Sequence, residues 1–184
     1  MKVIFLDIDG VLNTEHYITA FWDMCKRMEL KRPEANSLMK EIMRDEYGNH
    51  FCPVACRNLD WIIKETDAKI VISSTWRMSG LNVMRDMWRD RGLSGEIIDV
   101  TPIHSLKKGG RNKELSFAER MERGNEIQAW LDAHPEVESY VIFDDDNDML
   151  PSQVANFIQT DEFYGITLKD AEMAIKILKN ETGR

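Results

Sequence analysis

The chain has 184 residues, enough for one domain with a modest insertion, and 43% of them are apolar, which supports a sizeable core and excludes wholesale disorder. A formal net charge of -8 excludes a general nucleic-acid coating protein, though it leaves room for a local basic patch. No uncharged apolar run approaches membrane-spanning length, Met1-Lys2-Val3 enters the first strand without a signal-peptide layout, and an odd count of three cysteines does not suggest a disulfide framework; a reducing, cytoplasmic setting is expected.

Val3-Ile4-Phe5-Leu6 is continuous rather than alternating, the pattern of a parallel strand buried on both faces, and it ends in Asp7-Ile8-Asp9-Gly10. Thr14 to His50 is long, charged and helix-prone, and reads as a mainly helical cap inserted after the acidic pair. Within it Met24 and Met28, like Met39 and Met43, stand four apart on one helix face, which predicts core filling. Pro53 to Glu65 reads as a helix, and Ile70-Val71-Ile72 as a second buried strand ending in Ser73-Ser74-Thr75. Leu81 to Arg91 is helical in pattern, and Glu96 to Val100 is a weaker strand. Ser105 to Arg123 opens with basic residues around Gly109-Gly110 and predicts a mobile loop leading into a helix, followed by a helical stretch from Asn125 to Ala133. Tyr140-Val141-Ile142-Phe143 is a third buried strand, ending in Asp144-Asp145-Asp146, and Asn156 to Gln159 is a weaker one. Leu168 to Lys179 closes the series, with Ala171, Ala174, Ile175 and Leu178 at a helical period. Strands alternating with helices predict an α/β fold: a three-layer α/β/α sandwich around a five-stranded parallel, Rossmann-like sheet. Residues 1–184 then form one domain, with 14–50 as its cap insertion.

In an open parallel sheet, ligands bind at the carboxyl ends of the strands. Here the three strongest strands end in Asp7 and Asp9, in Ser73-Ser74-Thr75, and in Asp144-Asp145-Asp146. Acids gathered from distant positions into one cleft repel each other unless a cation joins them, and carboxylate oxygens with water suit Mg²⁺. Taken singly, DDDND is commonly a solvated turn and Ser-Ser-Thr a helix cap. An EF-hand loop on Asp144, Asp146 and Asp148 fails, because Met149 stands where glycine is required and Ala155 where the closing glutamate is. A response-regulator receiver fails on order, since the candidate nucleophile here ends the first strand.

Taken together and in this order, the segments resemble the haloacid dehalogenase-like superfamily: Asp7-Ile8-Asp9-Gly10 matches its D-x-D-G motif, IVISSTWR its hydroxyl-bearing strand end, Arg123 before Gly-Asn-Glu-Ile its basic residue, and Asp144-Asp145 its acidic pair. SSTWR and RGNEIQAWL further resemble the small branch found in RNA-repair polyproteins and in phage or bacterial stand-alone proteins. The resemblance covers nearly the whole chain apart from Thr14 to His50. Counting all five strands along the chain, so that Tyr140–Phe143 is the fourth, it implies the sheet order fifth, fourth, first, second, third. It also implies a Mg²⁺-dependent phosphatase in which Asp7 is the nucleophile and Asp9 the general acid and base. The metal would be held by Asp7, the Asp9 carbonyl and Asp145, with Asp144 holding a metal-bound water or Arg123. Ser74 or Ser73, together with Arg123, would grip the phosphoryl oxygens, Arg120 and Lys113 being rivals for the basic role.

Other residues invite blander readings. Cys52 and Cys56, with His50 and Cys25, meet one zinc-ligand spacing but have no second matching pair, so they read as cap or helix residues. Arg77, beside the second motif, either contacts substrate or pairs with an acid. Gly109-Gly110 beside Lys107-Lys108 lacks P-loop spacing. Substrate is the least legible property. A cap favours a small phosphate ester or nucleotide, whereas Lys107, Lys108, Arg111, Lys113, Arg120 and Arg123 in one segment are the footprint expected for a polyanion. With the RNA-repair resemblance, the expected substrate is a nucleic-acid terminal phosphate or a nucleotide. The alternatives are a sugar phosphatase and a catalytically silent module that uses the metal cleft and cap to hold a partner.

Overall fold

The computed structural model describes residues 1–103 and 122–181. The predicted loop from Ser105, and the basic residues Lys107, Lys108, Arg111, Lys113 and Arg120, lie outside the described residues.

Five parallel strands form the central sheet: β1 (Lys2–Leu6), β4 (Lys69–Ile72), β5 (Ile97–Val100), β6 (Ser139–Asp144) and β7 (Phe157–Gln159), in the spatial order β5-β4-β1-β6-β7. This is the expected order, with the first strand central. Its side chains alternate between two apolar layers, as strand geometry requires. Ile4 and Leu6 join Leu59 and Ile62 of α3 (Pro53–Thr66), Met84, Met87 and Trp88 of α4 (Leu81–Asp90), and Ala171, Ala174 and Leu178 of α6 (Leu168–Leu178). Val3 and Phe5 face Ile127 and Trp130 of α5 (Glu122–Ala133) on the opposite side. Helices on both faces explain why the three central strands read as uninterrupted apolar runs. Burying each large side chain stabilises by about 1.5–3 kcal/mol. Among the described residues, no helix is long and apolar enough to cross a membrane.

The sheet register fixes what lies at the strand ends. Leu6 is level with Ile72 on one side and Phe143 on the other. The next backbone steps continue the ladder, Asp7 N–H donating to the Phe143 carbonyl and Ser73 N–H to that of Leu6, both at 3.0 Å. Asp7, Ser73 and Asp144 are therefore neighbours by strand pairing alone.

The Thr14–His50 stretch folds as α1 (Glu15–Arg27), α2 (Arg32–Ile42) and a short antiparallel hairpin of β2 (Arg44–Asp45) and β3 (Gly48–Asn49). Thr14 caps α1 by accepting from the Tyr17 N–H. Phe21, Cys25, Ala35 and Met43 make a small core of its own. The methionine expectation holds only in part: Met43 is buried, but Met24 and Met28 are exposed. Met28 is the cap residue beyond the end of α1, and Phe21 and Cys25 of α1 fill the small core instead.

Candidate active site

Asp7 follows β1 and is almost fully buried. Asp144, the last residue of β6, is 1% exposed, and Asp145 follows it. Carboxylate oxygens of these three acids lie within 4.8 Å of one another. Arg123, in the first turn of α5, reaches between two of them: its Nη1 is 3.4 Å from Asp7 Oδ1 and its Nε is 3.5 Å from Asp144 Oδ2. Its backbone N–H donates to Asp148 Oδ2 at 3.1 Å, so the turn beyond β6 anchors the start of α5.

Burial pushes the Asp7 carboxyl above its usual range, with Arg123 and the neighbouring Ser74 side chain working against the rise. Burial, then the charge of Asp7, pushes Asp144 up to about 8. Asp145 is raised too, first by burial. Burial disfavours the Arg123 cation, yet Asp144 and Asp7 together hold its pKa above the ordinary value. Among the described residues, three carboxylates against one guanidinium leave the cluster short of positive charge.

Gly10 makes this packing possible. Its φ of 69° suits glycine, and a Cβ there would come within 2.5 Å of Asp145 Cγ. The loop is tied down from another strand, because Thr160 Oγ1 donates to the Gly10 carbonyl at 3.0 Å. Asp9 differs in kind. It is exposed, and its carboxylate stands outside the buried cluster, accepting from Asn13 Nδ2 at 2.7 Å and Trp76 Nε1 at 2.8 Å.

Ser73 and Ser74 are both fully buried. Ser74 lies by the Asp7 carboxylate and caps the short 3₁₀ helix Thr75–Ser79, accepting from the Trp76 N–H, while the Ser73 hydroxyl has no hydrogen-bond partner among the described residues. Arg77 pairs with an acid: Nη2 donates to Glu126, and Nη1 donates to the carbonyls of Ser73 and Ser74 at 2.9 and 2.7 Å. It thereby braces the turn that carries both serines. Cys25 lies in the small helical core, Cys52 in the main one, and His50 faces Asp45 at 3.7 Å. Burial pushes the Cys56 thiol up to about 12, which disfavours a thiolate ligand.

Among the described residues the donor set suits a hard divalent cation: oxygens alone, converging from two strands, with Asp144 Oδ2 buried and lacking a hydrogen-bond partner there. Sequence reasoning missed Asn13 and the role of Trp76, since neither bond to Asp9 follows from spacing.

No curated protein and no solved structure matches the chain. Residues 3–171 match the family described as the HAD domain in Swiss Army Knife RNA repair proteins, and the chain, carrying the sheet order and strand-end acids derived above, belongs to that family of HAD-type domains.

Proposed function

We propose that the protein is a phosphohydrolase working through an aspartyl-phosphate on Asp7, with a nucleic-acid terminal phosphate or a nucleotide as substrate. The observation that carries this reading is the convergence of Asp7, Asp144 and Asp145 with Arg123 reaching between two of them. Asp7, the Asp9 carbonyl and Asp145 would hold Mg²⁺, with Asp144 supporting its water, and the ion would neutralise charge on the phosphoryl oxygens. An Asp7 oxygen attacks phosphorus as the ester P–O bond breaks, and Asp9 gives its proton to the departing oxygen. Asp9 then takes a proton from a water that attacks the phosphorus. The bond to Asp7 breaks and inorganic phosphate leaves, with Asp7 again a carboxylate and Asp9 again protonated. Arg123 and Ser74, with Ser73 behind it, hold the non-bridging oxygens. The Thr14–His50 segment acts as a cap that limits access, and the protein works in the cytoplasm. The RNA-repair association of the matched family supports a nucleic-acid or nucleotide substrate over a sugar phosphate.

The test compares phosphate release from 3′- and 5′-phosphorylated oligonucleotides, mononucleotides and sugar phosphates, with Mg²⁺ or EDTA and across salt concentrations. Salt-sensitive, Mg²⁺-dependent turnover of oligonucleotides is expected. Efficient, salt-indifferent hydrolysis of sugar phosphates alone would end the nucleic-acid reading, and no turnover of any ester would favour a silent binding module.

A further inference from the structure

Asp9 is an exposed carboxylate held at both oxygens. Asn13 serves Oδ1 from within the same loop, where Gly10 N–H donates to the Asn13 carbonyl and Asn13 N–H to that of Ile8, each at 2.9 Å. The Oδ2 partner comes from elsewhere in the chain: the indole N–H of Trp76, in the 3₁₀ helix that follows β4.

The Trp76 ring is in turn placed by the β2–β3 hairpin. Gly48, at φ 129°, leaves room for it, since a Cβ there would lie 3.3 Å from Trp76 Cη2. Phe51 packs on it at 5.8 Å between centroids, and the Arg91 guanidinium lies 5.9 Å from its centroid. The hairpin is pinned to the end of α4 by two Arg91–Asp45 hydrogen bonds of 2.8 Å and by Tyr47 Oη to Asp90 at 2.7 Å.

We propose that Trp76 is a positioning residue that holds Asp9 as proton donor to the leaving group, and that the β2–β3 hairpin sets its ring. The proposal rests on the phosphohydrolase reading above. A carboxylate free to rotate at the mouth would rarely present its proton along the breaking bond, and misplacement by about 1 Å can cost about 10²-fold in rate. Each carboxylate oxygen has two lone-pair positions, so one bond from Asn13 and one from Trp76 still leave room for the transferring proton.

Trp76→Phe keeps a smaller aromatic ring at this position and removes the donor, together with the indole Cη2 that meets Gly48. It is compared with wild type on phosphate monoesters running from p-nitrophenyl phosphate, whose leaving group needs little protonation, to a mononucleotide, whose alkoxide needs it strongly. Expected is a loss of about 10- to 100-fold in kcat/KM on the mononucleotide against less than about 3-fold on the aryl ester. Adding Trp76→Phe to Asp9→Asn should cost little more on the mononucleotide than Asp9→Asn alone. Equal loss along the series, or losses that multiply in the double variant, would overturn the role, because a merely structural tryptophan affects every ester alike. A second readout is the ¹⁵N indole spectrum, where the Trp76 resonance, identified by its loss in Trp76→Phe, should move in Asp9→Asn. An unmoved resonance overturns this inference while the hydrolase reading stands. A wild-type protein inert on all the esters defeats the hydrolase reading and the positioning role with it, whatever the indole spectrum shows.

Discussion

Two arginine–carboxylate constellations in this protein are built on opposite terms. Arg91 meets Asp45 as a closed fork, with two bonds of 2.8 Å and the Phe51 ring 4.3 Å from its guanidinium carbon. Hydrogen bonds from Arg91 hold the Asp45 carboxyl below its usual range. Arg123 instead stands 3.4 and 3.5 Å from two acids and completes neither pair, while Asp7, Asp144 and Asp145 are all raised. The closed fork satisfies its own charges and fastens the hairpin to α4. The open cluster is an electrostatic liability that the sheet register imposes, and crowded acids with raised pKa values mark a place where a cation and an anionic group restore balance.

The sharpest way to break this contrast is Asp7→Asn. If Asp7 is the nucleophile, phosphate release should fall by on the order of 10³-fold or more. The same change removes one of the crowded acids, so the metal-free protein at pH 8 should melt at a higher temperature than wild type. Retained turnover would sink the assignment of Asp7, and a lower melting temperature would sink the view of the cluster as unsatisfied. Next in size is Arg123→Met, expected to cost about 10²- to 10³-fold in kcat/KM through lost contact with the phosphoryl oxygens. Here metal-free stability should fall, because the acids lose the cation between them; unchanged turnover would return the basic role to Arg120 or Lys113.

What the sequence made legible follows from the same physics. The buried strands announce themselves as continuous apolar runs, so β1, β4 and β6 were readable to within a residue or two, and the polar residues ending them pointed to the cluster. The hairpin was not readable, since Arg44–Asp45 and Gly48–Asn49 are too short and polar to show a period. Gly124 obscured the start of α5: glycine argues against a helix interior, yet here a Cβ would come within 2.5 Å of the Leu150 backbone nitrogen, so close packing selects it. Which of the two serines faces inward turns on where β4 ends, which a run of hydroxyl residues does not show; the Ser74 side chain lies beside Asp7. Trp76 and Asn13 gave no pattern, because their bonds to Asp9 depend on how two loops meet.

A smaller effect distinguishes the constellations by pH. Asp144 sits at about 8 in the folded protein against an ordinary value of 3.8, so the folded state binds more protons in between. Its contribution is fully present below about 4 and is lost as pH rises through 8, leaving the metal-free protein progressively less stable across that window. Asp7 and Asp145, also raised, act in the same sense. A divalent cation competes with those protons and compensates the ionised acids. The melting-temperature gain from millimolar Mg²⁺ over EDTA should therefore be small at pH 5.5 and grow by pH 8. An equal gain at both values, or one that survives Asp145→Asn, would place the ion elsewhere.

The smallest predicted effect concerns the closed fork. Asp45→Asn leaves the Arg91 side chain, 8% exposed, without its carboxylate, and should cost about 1–2 kcal/mol of stability at pH 7 by chemical denaturation. Because the Asp45 pKa is lowered by folding, its contribution is present above the unfolded value and disappears as pH falls through the folded one. The gap between wild type and variant should accordingly close at acid pH, the reverse of the trend in the Asp144 cluster. Turnover of an aryl phosphate should hardly change, since the fork touches neither Asp7 nor Arg123. A stability gap that persists in acid would mean that Asp45 acts through shape rather than charge. A collapse of aryl-phosphate turnover would mean that the hairpin supports more of the site than the orientation of Asp9.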